Sequence, residues 1–203
     1  MVGIPRGISL CKRDLRKIIK KSLLAFPEED KVRESRGLTD ALLRTDLWRG
    51  SSKICLYSTI PGLEVKTNFL INRIRETGRR VYLPRIIGPR DMVMVKDLDI
   101  HPNDTTVIDP RGRWGDLERD FPDLVIVPGL GFCPRTGERL GYGGGFYDTW
   151  VSELRKKVPE RRFTTLALCL TPQILDEIPT EPHDISVDQI IAINSGRPST
   201  PQL

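Results

Sequence analysis

The chain has 203 residues, long enough for one domain with a full hydrophobic core, and carries a net charge of +5 from 32 Lys and Arg against 27 Asp and Glu. No apolar stretch approaches the roughly 20 residues needed to cross a bilayer, and the first residues lack a signal peptide's apolar region, so no membrane partner and a cytoplasmic location are expected. Four scattered cysteines without a Cys-x-x-Cys pair, and only two histidines, indicate neither a zinc site nor a disulfide framework.

Ser9 is placed to cap a helix over residues 10–25, where Leu15, Ile18, Ile19 and Leu23 recur at helical spacing. Its other face carries much of the positive excess, on Lys12, Arg13, Arg16, Lys17, Lys20 and Lys21. No aromatic run is interleaved with these cations, so no nucleic acid is expected, and a small polyanion accounts for the sign equally well. Lys12 and Arg16, four apart, share a face and can converge on one anion; such faces are otherwise solvated surface.

Pro27 with Glu28 and Glu29 opens a second helix, expected to run to Leu47. A strand at residues 53–57 follows, then a Pro61-Gly62 loop and a helix through Phe69, Leu70 and Ile74 closed by Gly78. Residues 81–84 and 92–95 read as strands, and residues 97–120 as a long irregular connection. The runs at 123–127 and 164–170 are nearly all apolar, as in strands covered on both faces. A last strand at 189–193 precedes a polar, Pro-rich tail. The expected fold is α/β: a single-domain, three-layer open sheet over residues 1–194 with parallel central strands and helices on both faces, and a flexible tail at 195–203.

Between the two apolar runs lies the segment richest in chemistry. Residues 125–132 read Val-Ile-Val-Pro-Gly-Leu-Gly-Phe, and residues 139–148 read Arg-Leu-Gly-Tyr-Gly-Gly-Gly-Phe-Tyr-Asp. A buried strand followed by a Gly-rich turn and a helix start is the layout of an anion cradle, because glycine removes the Cβ that would keep backbone N–H groups away from phosphate. Three glycines can also form a plain flexible turn. Arg139 and Asp148 bracket this one with opposite charge, suited to phosphate at one end and magnesium at the other. Neither a Walker Lys-[Ser/Thr] pair nor a Rossmann ribose-binding carboxylate accompanies it.

Four segments in order resemble the 5-formyltetrahydrofolate cyclo-ligase family: Lys12-Arg-Asp-Leu-Arg16, Glu64-Val-Lys-Thr67, the block from Pro128 to Asp148, and Glu181-Pro-His-Asp184 with Val187-Asp188. The resemblance spans nearly the whole chain, and its Arg-Leu-Gly-x-Gly-x-Gly-[Phe/Tyr]-Tyr-Asp block is the specific part. It implies an enzyme that uses ATP and Mg2+ to convert 5-formyltetrahydrofolate, with or without a polyglutamate tail, to 5,10-methenyltetrahydrofolate, ADP and phosphate through an N5-iminium phosphate. A monomer is expected. By resemblance, Lys12, Arg13 and Arg16 contact ATP phosphates. Arg139, Leu140, Gly141, Tyr142, Gly143, Gly144, Gly145, Phe146 and Tyr147 wrap the triphosphate, and Arg139 and Tyr147 act in catalysis. Glu64, Tyr142, the three glycines 143–145 and Phe146 hold the folate, and Asp148 and Asp184 hold magnesium.

This chain departs from the family pattern at three points. Phe146 stands where many members have Tyr, the loop before Glu64 is one residue longer, and Gly144 replaces a Lys found in some members. The competing readings are a non-catalytic homologue that binds nucleotide or RNA, and a sugar-phosphate isomerase of similar architecture. His183 reads as a residue that orients its loop, and Phe146 and Tyr147 read equally as core anchors.

Overall fold

A computed structural model describes residues 11–97, 107–112, 121–158 and 163–193. In chain order the described elements are α1 (Lys12–Ala25), α2 (Glu28–Leu43), α3 (Asp46–Gly50), β1 (Lys53–Cys55), α4 (Asn68–Glu76), β2 (Arg80–Gly88), β3 (Asp91–Lys96), β4 (Val107–Ile108), β5 (Leu124–Ile126), β6 (Gly131–Phe132), β7 (Arg139–Leu140), α5 (Phe146–Lys157), β8 (Thr164–Cys169) and β9 (Gln189–Ala192). Seven strands form one sheet in the order β4-β3-β2-β1-β5-β8-β9. The five from β2 to β9 pair in parallel, and β3 and β4 extend the β2 edge antiparallel.

The apolar runs at the centre are buried on both faces, as their composition requires. Leu124 and Ile126 point into one core with Leu166, Leu168 and Ile191, while Val125 and Val127 point into a second with Ala167, Cys169 and Ile190. The first core is covered by Leu15, Ile19 and Leu23 of α1, Leu38 and Leu42 of α2, and Leu70 and Ile74 of α4. The second is covered by Trp150, Val151 and Leu154 of α5. Each such aliphatic side chain contributes about 1.5–3 kcal/mol on leaving water. The result is the expected three-layer α/β architecture.

Several boundaries differ from the sequence reading. Helix α1 begins after Cys11, whose thiol donates to the Asp14 carboxylate at 3.0 Å; Ser9 lies outside the described residues. The second helix stops at Leu43 rather than Leu47. There Thr45 caps a new helix, accepting the Trp48 N–H at 3.1 Å and donating to the Leu42 carbonyl at 2.7 Å. Those two bonds satisfy one helix end and the next helix start together. Gly78, at φ +67°, closes α4 as anticipated. Residues 107–108, expected in an irregular connection, pair with β3; most of that connection, and the tail, fall outside the described residues. The β6–β7 hairpin was not foreseen. It ends at Leu140, immediately before the glycine loop.

Candidate functional site

Connections on opposite faces of an open parallel sheet leave a crevice where the winding direction reverses. Here β1 connects to β2 through α4 on one face, and β5 connects to β8 through α5 on the other, so the reversal lies between β1 and β5. At the carboxyl ends of those strands lies a cavity of about 370 Å³. Tyr57 and Ser58 enter it from the end of β1, Pro128 from the end of β5, and Pro84, Ile86 and Met92 from the β2–β3 hairpin. Gly141, Tyr142, Gly144, Gly145, Phe146, Tyr147 and Asp148 supply the remaining wall, with Arg139 and Glu64. Nine residues singled out from the sequence thus share one pocket.

The glycine loop has the geometry of a cradle. Gly143 and Gly145 hold φ of +104° and +70°, values that L side chains rarely adopt. Gly145 is the N-cap of α5 and offers no side chain to its first turn, so orphan backbone N–H groups remain for an anion. Phe146 packs its ring over Gly144, where a Cβ would lie 2.8 Å from two ring carbons. Leu140 is a core residue with its carbonyl on the Leu130 N–H, so a ligand could meet only its backbone.

Glu64 is 3% exposed and accepts the Ile60 N–H at 2.6 Å. Burial raises its pKa from 4.5, partly offset by the Ile60 N–H and by the adjacent Tyr142 hydroxyl. The longer loop of residues 58–64 therefore still delivers its carboxylate to the pocket. Tyr147 fills the junction of the two cores, and its hydroxyl is buried without a hydrogen-bond partner. Desolvation pushes the Tyr142 and Tyr147 hydroxyls further above their ordinary range, so both stay protonated donors.

The charged residues are arranged differently from a simple set of phosphate contacts. Arg139 is 6% exposed and fully engaged at its two terminal nitrogens: Nη1 donates to the Pro128 carbonyl at 3.0 Å and Nη2 to Asp148 Oδ1 at 2.6 Å. Its Nε is buried without a partner. Asp148 Oδ1 also accepts the Ile185 N–H at 3.2 Å, which brings it beside the segment carrying Asp184. Asp184 is paired with Lys12, which reaches Glu181 at 3.2 Å as well. Burial acts to raise the Asp184 pKa, but the Lys12 ammonium, the Glu181 N–H and His183 together lower it. The ligand atoms of Glu181, His183 and Asp184 lie within 4.8 Å of one another, so this corner can hold a cation, and Lys12 now supplies one.

Arg16 lies across the glycine loop: its Nε donates to the Gly141 carbonyl at 2.8 Å, and its guanidinium carbon would be 3.6 Å from a Cβ on Gly143. Lys12 and Arg16, although four apart on one helix, hold different partners: Lys12 ties the segment 181–184 to α1, and Arg16 ties the glycine loop to it. Arg13 is not brought to the pocket; it stands in solvent, with the Asp14 carboxylate at 3.8 Å. Tyr57, Ser58, Pro84, Ile86 and Met92 line the pocket without having been singled out. Only the fold assembles them, because apolar residues at strand ends carry no motif.

Residues 9–193 match the model of the 5-formyltetrahydrofolate cyclo-ligase family. A probable 5-formyltetrahydrofolate cyclo-ligase of Caenorhabditis elegans is 27% identical over 195 residues, covering 91% of this chain and 94% of the relative. The 5-formyltetrahydrofolate cyclo-ligase of Mus musculus is 29% identical over 197 residues, with the same coverage of 91% and 94%. In fold, the chain is similar to the 5,10-methenyltetrahydrofolate synthetase of Aquifex aeolicus, with a TM-score of 0.72, 22% identity and 90% of each chain covered. With the family model spanning nearly all of its length, and the family's block lining the crevice of the sheet, this chain belongs to the 5-formyltetrahydrofolate cyclo-ligase family.

Proposed function

We propose that the protein closes the ring of 5-formyltetrahydrofolate to give 5,10-methenyltetrahydrofolate, with ATP converted to ADP and phosphate. The observation that carries this reading is the composition of this pocket: a buried carboxylate, apolar walls, and a glycine cradle at the start of a helix. Glu64 suits the pterin's 2-amino and N3–H donors, which call for a carboxylate acceptor. Pro84, Met92 and the Phe146 ring suit the flat ring system. The backbone N–H groups at 145–147, with Arg16 at the loop's edge and Lys12 one turn before it on α1, suit the triphosphate.

The chemistry explains the need for ATP. A formamide carbon is a weak electrophile and its oxygen a poor leaving group. Transfer of the γ-phosphoryl group to the formyl oxygen gives an N5-iminium phosphate; N10 then attacks the activated carbon, and phosphate departs as the imidazoline ring closes. Phosphoryl transfer asks the protein mainly for alignment and charge stabilisation. That agrees with a site of glycine backbone, cations and carboxylates whose lining contains no Cys or His. The protonated Tyr147 hydroxyl, lacking an internal partner, is available to donate to the formyl oxygen or its phosphate.

Magnesium, when bound, would neutralise the developing phosphate charge. The donor set fits it, since Asp148 and Asp184 are hard oxygen ligands, and Asp148 accepts the N–H of Ile185, the residue next to Asp184. Four free thiols, three of them buried, suit a reducing compartment such as the cytosol, and no helix among the described residues is long and apolar enough to cross a membrane. The test is direct: 5-formyltetrahydrofolate, ATP and magnesium are mixed with the protein, and the near-ultraviolet absorbance of the conjugated methenyl product is followed. Absence of that absorbance, with intact folate binding, would favour a binding homologue instead.

A further inference from the structure

The β2–β3 hairpin forms the outer wall of the pocket, and its tip carries a residue that local backbone chemistry does not explain. Arg90 has φ +56°, the one non-glycine residue at positive φ among those described. Glycine, which lacks a Cβ, or asparagine, whose short side chain bonds the local backbone, ordinarily serves a left-handed turn position, so a long cation there calls for a reason beyond the turn. Arg90 is exposed, and no described carboxylate pairs with it. The acids that share its shallow depression are engaged elsewhere: Asp91 with Arg111 at 3.1 Å, Glu153 with Lys156 at 2.8 Å, and Asp109 with the Arg111 N–H at 3.1 Å.

Arg90 stands at the turn of the hairpin that walls the main pocket. Met92 lines both the pocket and the depression that holds Arg90. The mouth of the pocket is bordered by two exposed apolar side chains, Ile86 at 65% and Ile60 at 44%. Exposed apolar side chains flanking a cavity suit an apolar ligand group lying between them. Ile86 pairs with Met92, and Gly88 with Asp91, so the turn lies two residues beyond the rim, about 7 Å at strand rise. That step matches a para-substituted benzoyl group leaving the pocket between Ile60 and Ile86, with its carboxylates arriving at the turn.

We propose that Arg90 is a specificity-determining residue, whose guanidinium receives the carboxylates at the glutamyl end of the folate substrate. The assignment rests on the cyclo-ligase reading of the pocket. An arginine fork matches a carboxylate in two parallel bonds, and a charge-assisted contact of this kind corresponds to about tenfold in affinity.

The test compares wild type with Arg90→Gly, a change that removes the charge and suits the left-handed backbone. Thermal melting should show the variant at least as stable. Two substrates are used: 5-formyltetrahydrofolate, and its analogue with both glutamyl carboxylates converted to amides. Wild type should show a KM about tenfold higher for the diamide, with kcat unchanged, whereas the variant should treat the two alike, and Arg90→Lys should recover part of the discrimination. Equal discrimination by wild type and Arg90→Gly overturns the assignment and leaves the function standing. A wild-type protein that closes neither ring overturns the functional reading and this subsite with it.

Discussion

Glu64→Gln separates two consequences of one buried carboxylate, and they have opposite signs. Burial raises the Glu64 pKa above the 4.5 of an unfolded chain. A group whose folded pKa is raised contributes stability that is fully present below the unfolded value and is lost as pH rises through the folded one. At neutral pH the folded wild type therefore holds a desolvated anion with one backbone donor, Ile60, while glutamine keeps an oxygen for that same N–H and carries no charge. The variant should be more stable than wild type at pH 7. The two should converge near pH 4, with the difference growing from about pH 4.5 upward. Folate binding should move the other way. Exchanging a charged for a neutral acceptor costs about 1 kcal/mol per bond, so losing it at two pterin donors weakens binding about thirtyfold. Denaturant unfolding from pH 4 to 8 and direct titration with 5-formyltetrahydrofolate measure the two effects. A variant less stable than wild type at pH 7 would refute the desolvation argument, and an unchanged Kd would remove Glu64 from the pterin end.

Asp148→Asn should lose magnesium-dependent turnover and also about 3 kcal/mol of stability, since the Arg139 side chain, 3% exposed, would keep a buried charge without its carboxylate. Adding Arg139→Met should restore much of the unfolding free energy but none of the activity; a single Asp148→Asn variant with normal melting and near-normal rate would contradict both roles. For Arg16→Ala, ATP affinity should fall at least about tenfold by calorimetry, with folate affinity changed less than about threefold, because the side chain braces the glycine loop and stands outside the folate pocket. Phe146→Tyr should be nearly silent in the ring-closure assay, whereas Phe146→Ala should slow it about a hundredfold by freeing the loop and misaligning the formyl oxygen. Full activity in the alanine variant would make residue 146 a packing position only.

The features legible in the sequence are those written in local periodicity or backbone demand. The runs around Leu124 and Leu166 are apolar at every position because alternate residues serve two different cores, and composition alone reports that. Gly78 at the end of α4 and the glycines at 143 and 145 are likewise readable, because few other residues tolerate their φ. The break at Thr45 was missed because the periodicity of α2 continues through Leu47, and only a cap hydrogen bond marks the stop. Strands β6 and β7, two residues each, are too short to show a period. The partnership of charges was the least visible part. Arg139 beside glycines reads as a phosphate ligand, and nothing local reveals that its guanidinium is spent on Asp148 and Pro128. The Lys12–Asp184 pair joins residues 172 positions apart.

Those pairings bear on how the site can receive its ligands. Each carboxylate assigned to the metal is already matched with a cation: Asp148 with Arg139, and Asp184 with Lys12. A buried or half-buried carboxylate without such a partner would carry a desolvation penalty or take up a proton, and either would weaken it as a ligand. The Lys12 ammonium helps to hold Asp184 below its ordinary carboxylate range, and Arg139 fixes the orientation of Asp148. A divalent ion arriving alone would displace Lys12 from Asp184 and leave the ammonium unmatched. A nucleotide arriving alone would bring its negative charge toward two carboxylates. On the proposed function, the ion and the triphosphate together would offer each group a new partner of the right sign, Lys12 turning to phosphate as Asp184 turned to the ion. Arg139 has less freedom, being buried and fixed to the Pro128 carbonyl, so on the same reading it would hold Asp148 in place during that exchange. The division follows burial: Lys12, on a surface helix, can move, and Arg139, at the base of the hairpin that leads into the glycine loop, cannot.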